Sequence, residues 1–131
     1  MRQLLDTQIA LWVVTDDPRL GQRARELIIE PDARNHVSVV SIWEIAIKHA
    51  LGQRRRDPMI LSGAEAWRAF LDAQFIILSV TAEHAAAVDD LPPIHADPFD
   101  RMLVAQALTE PMRLLTRDAR LEQYGALVTA A

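Results

Sequence analysis

A chain of 131 residues, half of them hydrophobic, is long enough to bury a proper core and short enough to read as one domain, residues 1–131. It has no cysteine, which excludes disulfides, thiolate metal sites and cysteine nucleophiles, so any metal must be held by oxygen or imidazole. The net charge of −4 argues against a broad basic surface for nucleic acid and leaves room for a local one.

"RQLLD" reads as a short buried strand, and "TQIALWVV" and "RLGQRARELIIE" as helices separated by the turn signal "TDDP". The β-branched "HVSVV" predicts a strand from His36 to Val40, followed by the helix "SIWEIAIKHALG" ending at Gly52. "AEAWRAFLDAQ" is a helix, "FIILSV" a strand, and "AEHAAAVDDL" a helix stopped by Pro92 and Pro93. After the helix that opens at "DPFDR" come the strand "MRLLT", the short helix "RDARLEQYG" and a last strand, "ALVTA". Alternating strands and helices predict a three-layer α/β/α fold with a mostly parallel sheet of about five strands. Asp6 interrupts the apolar run at the N-terminus, and no stretch reaches the ~18 uninterrupted apolar residues of a membrane span. A soluble, cytoplasmic protein without a membrane partner is expected.

The stretch "IHADPFDRMLVAQAL" carries the first chemical signal. Asp97 is a good N-cap and Pro98 is preorganised for the first helical turn. Asp100 is harder to explain, because helical spacing puts it on one stripe with Leu103, Val104, Ala107 and Leu108. A carboxylate facing inward is costly unless it is hydrogen-bonded, paired or bound to metal.

Three other acids stand at strand-to-helix junctions. Asp6 ends the first strand, Glu44 lies in the first turn after the second, and Asp118 follows the fourth. Each alone reads as a capping residue, and Ser41 with Glu44 fits a capping box. A doubly wound sheet would bring all four to one edge of the molecule, where they repel and either some stay protonated or a cation neutralises them. Hard divalent ions take such oxygen ligands, and the combination suits phosphodiester hydrolysis.

"LLDT", "SVVSIWEIAIK", "DPFDRMLVAQA" and "LLTRDARLEQYG", in this order and at these intervals, resemble the PIN domain, specifically the VapC-type toxins of toxin–antitoxin modules. "HADPFDR" resembles a motif of one subgroup of them. The resemblance covers essentially the whole chain and puts the family's acidic quartet on Asp6, Glu44, Asp100 and Asp118. It implies an Mg2+- or Mn2+-dependent endoribonuclease that leaves a 5′-phosphate and a 3′-hydroxyl, forms a homodimer and is neutralised by a cognate antitoxin. Asp6, Asp100 and Asp118 would hold metal directly or through water, and Glu44 would complete the site or orient the attacking water. Asp97 caps its helix or holds a second metal's water shell; Thr7 and Thr116 flank the site as hydrogen-bonding groups or as ordinary junction hydroxyls.

Arg101 and Arg117, beside these acids, are candidates for RNA phosphate contact or for damping the acidic field; the run Arg54, Arg55 and Arg56 reads by default as a solvated loop and otherwise as a further RNA backbone contact. His95 reads as a loop residue or a group supporting the site, and His36, His49 and His84 as structural. Core packing is the default for Trp12, Trp43 and Trp67, although the helix around Trp12 is apolar on more than one face and invites a partner. Two rivals lose ground: a phosphoacceptor receiver wants paired acids after the first strand and a late lysine, and a haloacid dehalogenase-type phosphatase wants D-x-D where the text is "DTQ". A PIN-fold scaffold without catalysis and a PIN nuclease in RNA processing outside any toxin system stay open.

Overall fold

The computed structural model describes residues 1–52 and 61–131, so the arginine run at residues 54–56 lies outside the described residues. The strands are β1 (Arg2–Leu5), β2 (Arg34–Ser38), β3 (Ile76–Leu78), β4 (Arg113–Thr116) and β5 (Val128–Ala130). The α-helices are α1 (Thr7–Val14), α2 (Gln22–Ile29), α3 (Val39–Leu51), α4 (Gly63–Asp72), α5 (Ala82–Ala87) and α6 (Pro98–Thr109). Short 3-10 helices occupy Val88–Asp90 and Ala119–Tyr124.

All strand pairs are parallel, in the order β3-β2-β1-β4-β5. Adjacent residues of one strand face opposite sides of a sheet, and the core divides accordingly. Leu5, Val37 and Leu115 pack with Ile9, Trp12, Leu27 and Phe70 on one side. Leu4, Leu114 and Val128 pack with Leu103, Val104, Ala107 and Leu121 on the other. Burial on both faces is why these strands read as continuous apolar runs rather than alternating ones. Phe70 is fully buried, and truncating such a ring to alanine costs about 3–5 kcal/mol.

The chain winds outward from β1 to β2 and β3, then returns to place β4 on β1's other side. The carboxyl end of β1 therefore lies at the point where strand order reverses, the usual binding crevice of such sheets. Asp6 is the first residue beyond it.

Three expectations need correction. The second strand ends at Ser38 rather than Val40, because the Ser38 hydroxyl accepts the Val40 amide at 3.0 Å and starts α3 without a connecting loop. Val39 and Val40 are β-branched and favour strand, but a side-chain cap outweighs that weak preference. Consequently the Ser41–Glu44 capping box does not form, and Glu44 sits beyond the first turn, on the stripe with buried Val40, Ser41 and Ile45. Trp43 and Trp67 are also not core: each lies off the buried stripe of its helix and is more than half exposed. Trp12, by contrast, is buried within the chain itself. Among the described residues no helix is long and apolar enough to cross a membrane.

Candidate active site

Asp6 is nearly buried and caps α1, with Oδ1 accepting the Ile9 amide at 2.8 Å. Its Oδ2 accepts the Thr116 hydroxyl at 2.7 Å and the Arg117 amide at 2.8 Å, tying the end of β1 to the end of β4. Burial nevertheless raises its pKa, and the charge of Glu44 adds to the rise against those hydrogen bonds. Thr116 also accepts the Asp118 amide at 3.0 Å, so one hydroxyl links two of the four acids.

Glu44 is likewise buried. The Thr7 hydroxyl donates to its Oε1 at 2.7 Å. Thr7 has one proton and a carboxylate can only accept, so the 2.8 Å contact with Ser41 is Ser41 donating to Thr7. Lys48, one helical turn on, donates to Oε2 at 2.5 Å. Lys48 had no place among the candidate residues, although the Glu-x-x-x-Lys spacing was there to read.

Asp97 caps α6 through the amides of Phe99 at 2.8 Å and Asp100 at 3.3 Å, as its position before Pro98 suggests. Asp100 lies in the first turn above buried Leu103, Val104 and Ala107. Its pKa is pushed up to about 6, chiefly by burial, then by the charge of Asp97 and more weakly by Asp6 and Glu44, against a lowering by His95. The acids from β1, α3 and α6 thus share one field, in which Glu44 is paired with Lys48 while Asp6 and Asp100 form no ion pair with a lysine or arginine among the described residues.

Asp118, at the outer edge of the four, is held by Arg120. It caps the 3-10 helix through the Arg120 amide at 3.0 Å, and the Arg120 guanidinium grips both oxygens, the shorter contact being 2.7 Å. This grip lowers its pKa. Asp118 meets Asp100 through His95, whose Nε2 lies 3.0 Å from Asp100 Oδ2 and 3.3 Å from Asp118 Oδ2. His95, Asp100 and Asp118 have the proximity needed to hold one cation together.

Asp6, Thr7, Glu44, Lys48 and Asp100 line a cleft of about 380 Å3, which Leu11, Trp12 and Ile45 line on its apolar side. The guanidinium of Arg117 lies over the Trp12 ring at 4.8 Å and that of Arg19 at 5.3 Å. Arg117 is exposed, and among the described residues no carboxylate pairs with it. Arg101 does not face the cleft's acids. Its guanidinium donates to the carbonyls of Val88 and Pro92, both at 3.1 Å, and to His95 O and the Tyr124 hydroxyl. The expected phosphate contact is therefore replaced by a clamp on the loop before α6, because that loop folds back over the helix. His84 is buried, its Nδ1 accepting the Thr81 amide and its Nε2 meeting Glu110, far from these acids in the fold.

The family model of the PIN domain matches residues 4–127. Ribonuclease VapC22 of Mycobacterium tuberculosis is 29% identical over 122 residues, which span 92% of this chain and 90% of the relative. The fold is similar to that of VapBC2 from Rickettsia felis bound to a DNA fragment from their promoter, with TM-score 0.71, 14% identity and coverage of 99% and 98% of the two chains. It is also similar to a toxin–antitoxin complex from Klebsiella pneumoniae, with TM-score 0.65, 18% identity and coverage of 98% and 96%.

Proposed function

The chain belongs to the PIN domain family, and from that premise we propose that it is a Mg2+- or Mn2+-dependent endoribonuclease, the toxin of a VapBC-type pair, acting in the cytoplasm as a single domain. A ribonuclease of this type is among its relatives over nearly the full length of both chains. The observation that carries the metal-dependent reading is the cleft that Asp100 shares with Asp6 and Glu44, where burial and the neighbouring carboxylates hold the Asp100 pKa above the usual carboxylate range. Like charges so arranged call for a cation, and a donor set of carboxylate oxygens fits a hard divalent ion.

Asp6, Asp100 and Asp118 would hold this ion directly or through water, and Glu44 would complete the site or orient the attacking water. When bound, the ion polarises a phosphoryl oxygen and makes hydroxide available from water near neutral pH. The chain's own groups do the positioning. Thr116 and two backbone amides fix Asp6, while Thr7 and Lys48 fix Glu44. Arg117, stacked on Trp12 beside the acids, neutralises an RNA phosphate next to the one attacked.

A cognate antitoxin and a second copy of the chain are the protein partners in this reading. A groove of about 410 Å3 lined by Val40, exposed Trp43, Phe99 and Met102 supplies apolar surface for such a contact.

The test is cleavage of RNA by the purified protein with Mg2+ or Mn2+, with excess EDTA, and after Mn2+ is restored. Loss and recovery of cleavage are expected. Undiminished cleavage in EDTA would remove the cation from the mechanism.

A further inference from the structure

The side chain that joins the two outer acids is an imidazole. His95 Nδ1 lies 3.1 Å from the amide nitrogen of Ala96. A backbone amide can only donate, so Nδ1 carries the lone pair and the ring proton sits on Nε2. That N–H donates to Asp100 Oδ2 at 3.0 Å, and Asp118 Oδ2 lies 3.3 Å from the same nitrogen.

The ring cannot drift easily from this position. The His95 amide donates to the Tyr124 hydroxyl at 3.0 Å, and its carbonyl accepts from Arg101 at 3.4 Å. Asp118 is gripped from its other side by Arg120. A row Arg120–Asp118–His95–Asp100 therefore crosses from the end of β4 to the start of α6, hydrogen-bonded at both ends and joined in the middle by the 3.3 Å approach of Nε2 to Asp118 Oδ2.

We propose that His95 is a positioning residue for the cation site: its Nε2–H donates to Asp100 Oδ2 beside Asp118 Oδ2 and holds the Asp100 carboxylate in place relative to Asp118. It acts through Asp100 rather than as a ligand. Direct coordination would need the Nε2 lone pair, hence a proton on Nδ1 pointing at the Ala96 N–H, with one hydrogen bond lost and two donors opposed. Outer groups that orient carboxylate ligands in this way contribute about 10–100-fold to metal affinity.

The proposal rests on the reading of the cleft as a cation centre, and Mn2+ separates the two. Binding is measured by electron paramagnetic resonance on wild type, His95→Ala and His95→Gln, with thermal midpoints taken without cation. Wild type is expected to bind Mn2+ without the hyperfine coupling of a directly bonded nitrogen. His95→Ala should bind about 10–100-fold more weakly, and His95→Gln, whose amide N–H can donate to the same Asp100 oxygen, should recover most of the loss. A residue that merely supports the loop would lower the midpoints and leave the Mn2+ affinity of the folded protein unchanged. Directly bonded nitrogen in the wild-type spectrum, unchanged affinity in His95→Ala, or no recovery in His95→Gln would each overturn the proposal. If His95→Ala does not fold, the wild-type spectrum and near-wild-type binding by His95→Gln decide. A wild type that binds no Mn2+ would defeat the cation reading itself, and this proposal with it.

Discussion

At the amino end of the sheet, Gln3 is fully buried in the middle of β1, and its amide is used completely. Its Nε2 donates to Leu27 O at 3.0 Å and Asn35 Oδ1 at 2.7 Å, while Oε1 accepts two donors from Arg113 at 2.9 and 3.1 Å. Asn35 and Arg113 are its register partners on β2 and β4, so the row closes across three strands. Three residues further along, at the carboxyl end, Asp6, Glu44 and Asp100 share a cleft, and Asp100 stays well above the usual carboxylate range. On the apolar side of this cleft, Trp12 also carries a buried Nε1 without a hydrogen-bond partner. The Gln3 amide closes its bonds within the chain, whereas Asp6 and Asp100 at the candidate site form no ion pair with a lysine or arginine among the described residues.

The comparison is broken most sharply by exchanging which end is disabled. Asp100→Asn keeps the side chain's size and removes its charge, so cleavage should fall by about 10^3-fold or more. Its thermal midpoint without cation should stay equal to wild type or rise, because repulsion is relieved. Single-turnover rates and cation-free melting check both halves. A variant that remains active and melts lower would make Asp100 a residue of the fold.

Gln3→Leu reverses the pattern. It strands Asn35, Arg113 and a carbonyl, and should destabilise the fold by about 2–3 kcal/mol. Denaturant unfolding measures the loss, and cleavage per folded molecule should be unchanged.

The pH dependence of cation-free stability follows from the same contrast. Folded Asp100 keeps a proton that the unfolded chain releases near 3.8, so stability falls as pH rises from 3.8 to about 6 and levels off above. For a side chain about a quarter exposed this amounts to on the order of 1–2 kcal/mol after screening. Asp118, whose pKa is lowered, acts in the opposite sense and below that window, where acid removes its contribution. Melting Asp100→Asn across pH 4–7 should give a flatter profile than wild type.

Arg117→Gln should raise KM several-fold at low salt, leave kcat nearly unaltered and reduce the salt slope of RNA binding by about one. Asp97→Asn should do least. Asparagine caps nearly as well as aspartate, so activity should remain within about threefold of wild type.

Much of this site was legible because its signals are local. Asp97, Pro98 and the spacing from Asp100 to Leu103, Val104 and Ala107 declare both a helix start and a carboxylate facing inward. Alternating elements were enough to place Asp6 at a strand-to-helix junction on the same edge as the other acids, while its position at the reversal of strand order comes from the sheet itself. The start of α3 was missed because Val39 and Val40 look like strand, and only the Ser38 cap reveals otherwise. Arg101 was misplaced because its partners lie on a loop that tertiary packing returns to α6. The bridge through His95 joins α6 to the residues after β4, a neighbour relation that no spacing in the chain encodes.

The central claim is that the acids at the carboxyl end await a cation, and ligand-linked stability tests it without RNA or an antitoxin. A species that binds only the folded state raises the melting midpoint in proportion to the logarithm of its concentration once it exceeds Kd. Titrating Mn2+ into the purified, metal-free protein should raise the wild-type midpoint progressively and leave Asp100→Asn nearly unmoved. A wild-type midpoint that does not rise with Mn2+, or that rises equally in Asp100→Asn, would contradict the account.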